Sequence, residues 1–203
     1  MLRKIIFSLL IVASPFIQAQ ETLTILFLGD SLTEGLGLET EQAFPNLVDN
    51  RLKEEGYNNI SIINAGISGS TSASALERMQ WYTRSHPDLV ILSLGANDGL
   101  RGLSVDNMKS NLAAAIEFAQ ASDVKVALTG MLTPPNMGEE YTSSFAQVFP
   151  DLAEEYGLEF MPFLLQDVAG IPELNQADGI HPNIEGSRIV ADHVYHFLLS
   201  LIP

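Results

Sequence analysis

Short apolar segments alternate with longer amphipathic ones along this 203-residue chain, and that alternation limits the fold more than any other feature. The short segments are mostly rich in β-branched residues and carry few polar positions. This pattern is typical of strands that are buried on both faces of a parallel sheet. Five such segments are present, at residues 23–28, 60–63, 89–94, 124–128 and, more weakly, 158–163.

The segments between these strands carry apolar residues at spacings of three and four, the period of a helix with one buried face. The pattern predicts helices after the first, third and fourth strands and a last helix over residues 184–201, whereas residues 72–85 are less regular. The apolar positions in the four clear helices are Phe44, Leu47, Val48 and Leu52; Met108, Leu112, Ala115, Ile116 and Ala119; Phe145, Val148, Phe149 and Leu152; and Ile189, Val190, Val194, Phe197, Leu198 and Leu201.

About five strand–helix repeats predict an α/β fold, a three-layer α/β/α sandwich around a five-stranded parallel sheet with right-handed crossovers. Sheets of this kind bind ligands beyond the carboxyl ends of their strands. Functional residues are therefore expected directly after strands.

The first 19 residues differ in character from the rest of the chain. A short basic start at Arg3 and Lys4 is followed by an almost unbroken apolar run, a Ser-Pro break and the small residue Ala19. This layout predicts a signal peptide over residues 1–19, a single domain over 20–203, and a periplasmic or secreted protein. A buried N-terminal helix or an uncleaved anchor is the alternative.

Charge and cysteine content exclude several classes of function. Without Arg3 and Lys4, 8 basic residues face 25 acidic ones, a formal charge of −17 that disfavours binding to nucleic acid and to anionic membranes. The sequence has no cysteine, which removes disulfides, a thiol nucleophile and thiolate metal sites. We expect a monomer with no cofactor, no metal and no stable membrane insertion.

The first predicted strand runs directly into Gly29-Asp30-Ser31-Leu32, which places Ser31 at the carboxyl edge of the sheet. A serine at this edge is a candidate nucleophile. The same residues also fit a capping box in which Ser31 caps a helix and Glu34 reaches back to it. The Gly-x-Ser-x-Gly nucleophile elbow is absent, because Thr33 occupies its last position. Taken alone, this segment supports catalysis and capping equally.

Two further loops follow the second and third predicted strands. The loop at residues 64–71 contains Gly66 and Gly69, which allow the backbone to approach a ligand closely. The loop that begins at Gly95 contains Asn97, whose amide is able to point into a cleft. Considered by itself, the first loop is explained better by an ordinary turn, and the second is explained equally well by a turn or by function.

The last loop places Asp178 three residues before His181, ahead of the final helix. The carboxylate is able to orient the imidazole, whose other nitrogen then faces Ser31. His86 precedes a strand, and His193 and His196 lie within the last predicted helix, so they are weaker candidates. One Asp and one His supply too few ligands for a metal. Together, the four loops provide a nucleophile, a base, a residue that orients the base, and oxyanion donors.

At these positions the sequence resembles the SGNH/GDSL hydrolase family, whose four motifs match Gly29-Asp30-Ser31-Leu32, Gly69, Gly95-Ala96-Asn97-Asp98 and Asp178-Gly179-Ile180-His181. Residues 29–35 and 97–102 are most similar to a bacterial periplasmic group of arylesterases, thioesterases and lysophospholipases. The resemblance implies a flavodoxin-like sheet and hydrolysis of small-molecule or lipid esters, with thioesters cleaved in vitro.

On this basis, Ser31, His181 and Asp178 are the expected triad, and the expected oxyanion donors are the backbone N–H groups of Ser31 and Gly69 and the amide of Asn97. Loops at the cleft edge are expected to bind the acyl or aryl group, although the same side chains also suit simple loop packing. A carbohydrate acetylesterase and a non-catalytic binding module on the same scaffold remain alternatives. The expected substrate-binding residues are Leu100, Met131, Pro134, Pro135 and Met137.

Overall fold

The structure is a computed structural model that describes residues 22–202, so the segment expected to be a signal peptide lies outside the described residues. The described part contains one parallel sheet with the strand order β2-β1-β3-β4-β5. The expected five-stranded, flavodoxin-like α/β fold is confirmed. The strands are β1 (Leu23–Gly29), β2 (Ile60–Gly66), β3 (Leu89–Ser93), β4 (Lys125–Thr129) and β5 (Glu159–Met161).

The helices cover both faces of this sheet. Leu26 and Phe27 are neighbours in β1 whose side chains point to opposite faces, and each is 0% exposed. One group of helices pairs α2 with α7, and the other packs α3 and α6 on either side of α5. The helices of the described chain are α1 (Ser31–Glu34), α2 (Phe44–Glu54), α3 (Ala75–Tyr82), α4 (Ala96–Leu100), α5 (Val105–Ala121), α6 (Glu139–Tyr156) and α7 (Ile184–Leu199).

The predicted elements differ from the observed ones mainly at their ends. Strand β5 stops at Met161 because Pro162 has no N–H to continue the ladder. In α3, which forms the less regular connection, Met79 is buried, whereas Leu76 and Tyr82 are only partly buried. The fully packed face instead includes Arg78, which is 8% exposed.

The register of the sheet brings the loops of interest together. Gly29 of β1 pairs with Gly66 of β2 on one side and with Ser93 of β3 on the other. The chain therefore leaves all three strands at the same level of the same edge. Strand β1 connects to β2 on one side and lies beside β3 on the other, and the gap between such diverging connections is where α/β sheets bind ligands.

Arg78 and two glycines hold this edge together. The Arg78 guanidinium donates to the carbonyl oxygen of Gly29 at 2.9 Å and to that of Ala65, so it ties the end of β1 to the end of β2. A Cβ on Gly29 would lie 1.9 Å from Oγ1 of Thr33, and a Cβ on Gly66 would lie 2.0 Å from the backbone nitrogen of Glu34. Both positions therefore require glycine for close packing of α1 on the strand ends.

Candidate active site

Ser31 is the first residue of α1 and directly follows the end of β1. The helix cap is Asp30 and not Ser31, because Asp30 Oδ1 accepts a hydrogen bond from the backbone nitrogen of Leu32 at 3.0 Å. Glu34, the other half of the alternative capping box, accepts from the backbone nitrogen of Ser68 at 2.7 Å. The Ser31 hydroxyl is therefore not engaged in capping.

The imidazole of His181 connects Ser31 to Asp178. Its Nε2 lies 2.8 Å from Ser31 Oγ, and its Nδ1 lies 2.7 Å from Asp178 Oδ2. A carboxylate at Nδ1 favours the tautomer with the proton on that nitrogen, which leaves Nε2 as an acceptor for the serine hydroxyl. The described structure thus joins residues 150 positions apart into one hydrogen-bonded chain.

The loop around Asp178 keeps its carboxylate ionised. Partial burial raises the pKa of Asp178, but hydrogen bonds from the His181 ring and from the backbone N–H groups of Ile180 and His181 outweigh this effect and lower it to about 2. The two backbone bonds to Oδ1 measure 3.0 and 3.1 Å, and Gly179 forms the turn with a φ of 74°. The carboxylate is therefore charged and oriented before any substrate binds.

Gly69 and Asn97 reach the same rim from β2 and β3. Gly69 has a φ of +77°, a conformation that favours glycine. Within residues 22–202, the backbone N–H groups of Ser31 and Gly69 have no protein acceptor. The Asn97 amide donates through Nδ2 to Asp30 Oδ2 at 3.3 Å, a long bond that leaves its second N–H free. Three N–H donors are therefore available at this rim.

Two acidic residues of the motifs have different surroundings. Asp30 is 0% exposed, and burial raises its pKa to about 6, although hydrogen bonds from Leu32 and Asn97 and the charges of His181 and Arg78 oppose the shift. Asp98 holds the loop after β2, since its carboxylate accepts from the backbone nitrogen and the hydroxyl of Ser72 at 2.8 and 2.6 Å.

An apolar cleft of about 590 Å³ opens beside Ser31 and His181. Four of the five expected substrate-binding residues, Leu100, Met131, Pro134 and Pro135, line it. Met137 does not, and it borders a separate depression beside Tyr141. The 3₁₀ turn Pro135–Met137 explains this position, because such a turn rotates successive side chains by roughly 120°. The cleft wall also includes Phe163, Leu165, Ala169 and Ile180, which are not among the residues expected from the sequence.

Between residues 22 and 202, no group of three or more His, Asp or Glu side chains is arranged to hold a metal ion. Over the same residues, the helices are too short or too polar to cross a bilayer.

The comparison with protein families decides the assignment. Residues 27–189 match the model of the GDSL-like Lipase/Acylhydrolase family, and this range contains Ser31, Gly69, Asn97, Asp178 and His181. The chain belongs to this GDSL/SGNH family. Its resemblance to the family at the four sequence motifs is therefore confirmed.

Several relatives whose names state a function match this GDSL protein over most of its length. It is 38% identical over 180 residues to "Esterase TesA" of Pseudomonas aeruginosa, covering 88% of this chain and 89% of the relative. It is 38% identical over 184 residues to an "Arylesterase" of Vibrio mimicus, with 90% of each covered. Identity is 33% over 180 residues with "Thioesterase 1/protease 1/lysophospholipase L1" of Escherichia coli K12, covering 88% and 85%.

Solved structures of GDSL esterases have the same fold. A structure of TesA gives a TM-score of 0.84 at 38% identity, covering 88% of this chain and 99% of that one. The psychrotrophic esterase EstA from Pseudoalteromonas sp., inhibited by monoethylphosphonate, also gives 0.84 at 36% identity, covering 88% and 97%. The protein is an ester hydrolase of this family.

Two polar residues at the site, Asp30 and Arg101, are not among the functional residues expected from the sequence. Asp30 lies between Gly29 and Ser31 at the end of a buried strand, where an acidic side chain has to be buried. Arg101 follows Asn97 by four residues, the spacing at which helical side chains meet. Its Nη2 lies 3.0 Å from the carbonyl oxygen of Gly69 and 3.4 Å from Asn97 Oδ1. The acidic residue after a buried strand and the spacing of four residues between Asn97 and Arg101 are both visible in the sequence.

Proposed function

We propose that this protein is a serine esterase that forms an acyl-enzyme on Ser31, with His181 as general base and Asp178 as the residue that orients it. One observation carries the proposal: His181 lies within hydrogen-bond distance of both Ser31 Oγ and Asp178 Oδ2. A nucleophile, its base and the residue that orients the base are thus aligned at the mouth of an apolar cleft.

In the first half of the reaction, Ser31 Oγ attacks the carbonyl carbon of the ester while its proton moves to His181 Nε2. The carbonyl oxygen becomes an oxyanion, held by the N–H groups of Ser31 and Gly69 and by the Asn97 amide. Removal of one such donor typically costs about 2.7–4 kcal/mol of transition-state stabilisation. Asp178, which is ionised, stabilises the imidazolium that forms.

In the second half, His181 gives its proton to the leaving oxygen, and the alcohol departs. The acyl group stays on Ser31 as an ester. Water then attacks the acyl carbon, with His181 as base again, and the carboxylic acid is released as the serine hydroxyl is restored. Every proton in this cycle passes through Nε2, so no cofactor is required.

The substrates that we propose are aryl and acyl esters, including lysophospholipids, and thioesters in vitro. The cleft supports this class because its wall is mostly apolar and its volume of about 590 Å³ accommodates a group much larger than acetyl. The relatives named arylesterase and lysophospholipase support the same class. On p-nitrophenyl esters we expect activity to extend from acetate to octanoate. A sharp preference for acetate would indicate an acetylesterase.

We also propose that residues 1–19 direct export of the protein to the periplasm or the medium, as their basic start and apolar run indicate. Expression of the full chain in a Gram-negative host, followed by fractionation and intact-mass measurement, tests this. The expected product lacks about 19 residues and is found outside the cytoplasm. An uncleaved chain in the cytoplasm would contradict export.

The decisive experiment for catalysis is labelling with a fluorophosphonate probe. Wild-type protein should be labelled at Ser31 and inactivated, and Ser31→Ala should lose both labelling and turnover while it stays folded. Ser68→Ala is the matched control, because Ser68 also lines the cleft but donates its hydroxyl hydrogen to Glu34. Labelling of Ser31→Ala, or residual turnover above a few thousandths, would show that another residue is the nucleophile.

A further inference from the structure

Arg101 contacts both of the residues that supply oxyanion donors from the loops after β2 and β3. Its Nη2 lies 3.0 Å from the carbonyl oxygen of Gly69 and 3.4 Å from Oδ1 of Asn97. Gly69 and Asn97 follow different strands, and Arg101 joins the two segments at the cleft, in addition to the buried contact between Asp98 and Ser72. The side chain is exposed, so burial is not what holds it there.

The Asn97 amide is held from both sides by groups of opposite character. Asp30 Oδ2, an acceptor, lies 3.3 Å from the amide nitrogen, and the Arg101 guanidinium, a donor, lies 3.4 Å from the amide oxygen. An amide rotated by 180° would bring its oxygen to the carboxylate and its NH₂ group to the guanidinium, and both contacts would be repulsive. The pair therefore selects the orientation in which Nδ2 is available as a donor to an oxyanion.

Gly69 needs a comparable restraint. Its φ of +77° lies in the left-handed region. Glycine has more backbone freedom than any other residue type. The bond from Arg101 to its carbonyl oxygen fixes the peptide plane that follows it. The donor N–H of Gly69 belongs to the preceding peptide plane, and anchoring the following plane restricts the rotations about the Gly69 backbone that would turn this N–H away.

We propose that Arg101 is a positioning residue that aligns Gly69 and Asn97 as one oxyanion-binding unit. The proposal rests on the proposed function, in which these two residues bind the oxyanion. Arg101 acts through them and does not itself contact the reacting atoms. Its contribution therefore belongs to the transition state more than to substrate binding.

Steady-state kinetics of Arg101→Met and Arg101→Lys on p-nitrophenyl butyrate test the proposal. Misplacement of a catalytic group by about 1 Å can cost about 10²-fold, so we expect kcat of Arg101→Met to fall by about 10- to 100-fold with KM changed by less than about threefold. Arg101→Lys should recover part of the loss, because an ammonium still donates to one of the two oxygens. The rate of inactivation by a fluorophosphonate should fall in parallel with kcat/KM.

Arg84→Met is the matched control, since it removes the same charge and side chain beside Trp81 at the opposite end of the sheet. It should leave kcat unchanged. If Arg101→Met behaves like this control, or if it raises KM alone, the positioning role is refuted. If Arg101→Met also lowers the unfolding temperature markedly, Arg101→Lys distinguishes a structural role from a positioning role. Recovery of stability by Arg101→Lys without recovery of kcat also refutes the positioning role.

A double-mutant cycle identifies the route of the effect. If Arg101 acts through Asn97 and Gly69, Arg101→Met should cost clearly less kcat in an Asn97→Ala background than in the wild type. Full additivity would refute the proposal. Ser31→Ala separates the two hypotheses: if it stays active, the proposed function fails, whereas an inactive Ser31→Ala together with a fully active Arg101→Met overturns only the role of Arg101.

Discussion

Replacement of Asp30 by Asn should change how the stability of the protein depends on pH. Asp30 is 0% exposed at the end of β1, and burial raises its pKa from 3.8 to about 6 despite hydrogen bonds from Leu32 and Asn97. The charged groups that act on it are His181 and Arg78, and both lower the pKa. The native protein thus holds this proton to a higher pH than the unfolded chain does.

The direction and size of the effect follow from that difference. The stability contributed by the protonated carboxyl is fully present below pH 3.8, the value of the unfolded chain, and is lost as pH rises through about 6. Each pH unit of pKa difference corresponds to 1.36 kcal/mol, so the wild type should lose about 3 kcal/mol of stability from this group over the whole range. Between pH 4 and 7.5 the loss should be about 2.4 kcal/mol.

Urea unfolding followed by far-UV circular dichroism between pH 4 and 7.5 measures this contribution. The unfolding free energy of Asp30→Asn minus that of the wild type should rise with pH by about 2 to 3 kcal/mol. Asp106→Asn, which removes an exposed carboxylate from the first turn of α5, is the control and should not show this rise. A flat difference for Asp30→Asn would refute the argument that burial displaces the pKa of this group.

Three further predictions follow from the site and its supports. Asn97→Ala should lower kcat by about 10²–10³ with little change in KM, and an unaffected kcat would remove its amide from the mechanism. Leu100→Ala should reduce kcat/KM for octanoate relative to acetate by up to about tenfold. Leu103→Ala is the control, because Leu103 is equally 41% exposed but lies outside the cleft, and it should not change this preference. Equal effects of the two variants on chain-length preference would contradict the assignment of the acyl site. Gly66→Ala should cost about 1–3 kcal/mol in urea unfolding, because its Cβ would lie 2.0 Å from the backbone of Glu34, and an unchanged midpoint would show that α1 has room to move.

Much of the fold could be predicted because its helices and sheet bury regular patterns. In α5, all five residues of the predicted stripe, from Met108 to Ala119, are buried. Helix α6 behaves in the same way over its predicted stripe. The buried face of α3 could not be predicted in this way, because it includes Arg78. This side chain is buried where it donates hydrogen bonds to the carbonyl oxygens at the ends of two strands. A pattern of hydrophobicity cannot reveal a charged residue that is buried for its donors.

The candidate site was predictable to the extent that its residues follow strands. Ser31, Gly69, Asn97 and His181 all lie at the carboxyl edge, Ser31 and Asn97 in the short helices α1 and α4 and the other two in loops, and the described structure brings Ser31 and His181 to 2.8 Å. Met137 shows the limit of this approach. Sequence proximity to Pro134 and Pro135 suggested a place in the cleft, but one short turn directs its side chain elsewhere.

The sequence alone determined the alternation of strands and helices, the edge at which the motifs meet, and the chemical groups that are available there. These follow from hydrophobic period and from the position of a residue after a strand, and both are local properties. The tertiary structure decided which side chains complete the site. The raised pKa of Asp30, the bonds from Arg101 to Gly69 and Asn97, and the cleft wall at Phe163 and Leu165 all depend on burial and contact between segments distant in sequence.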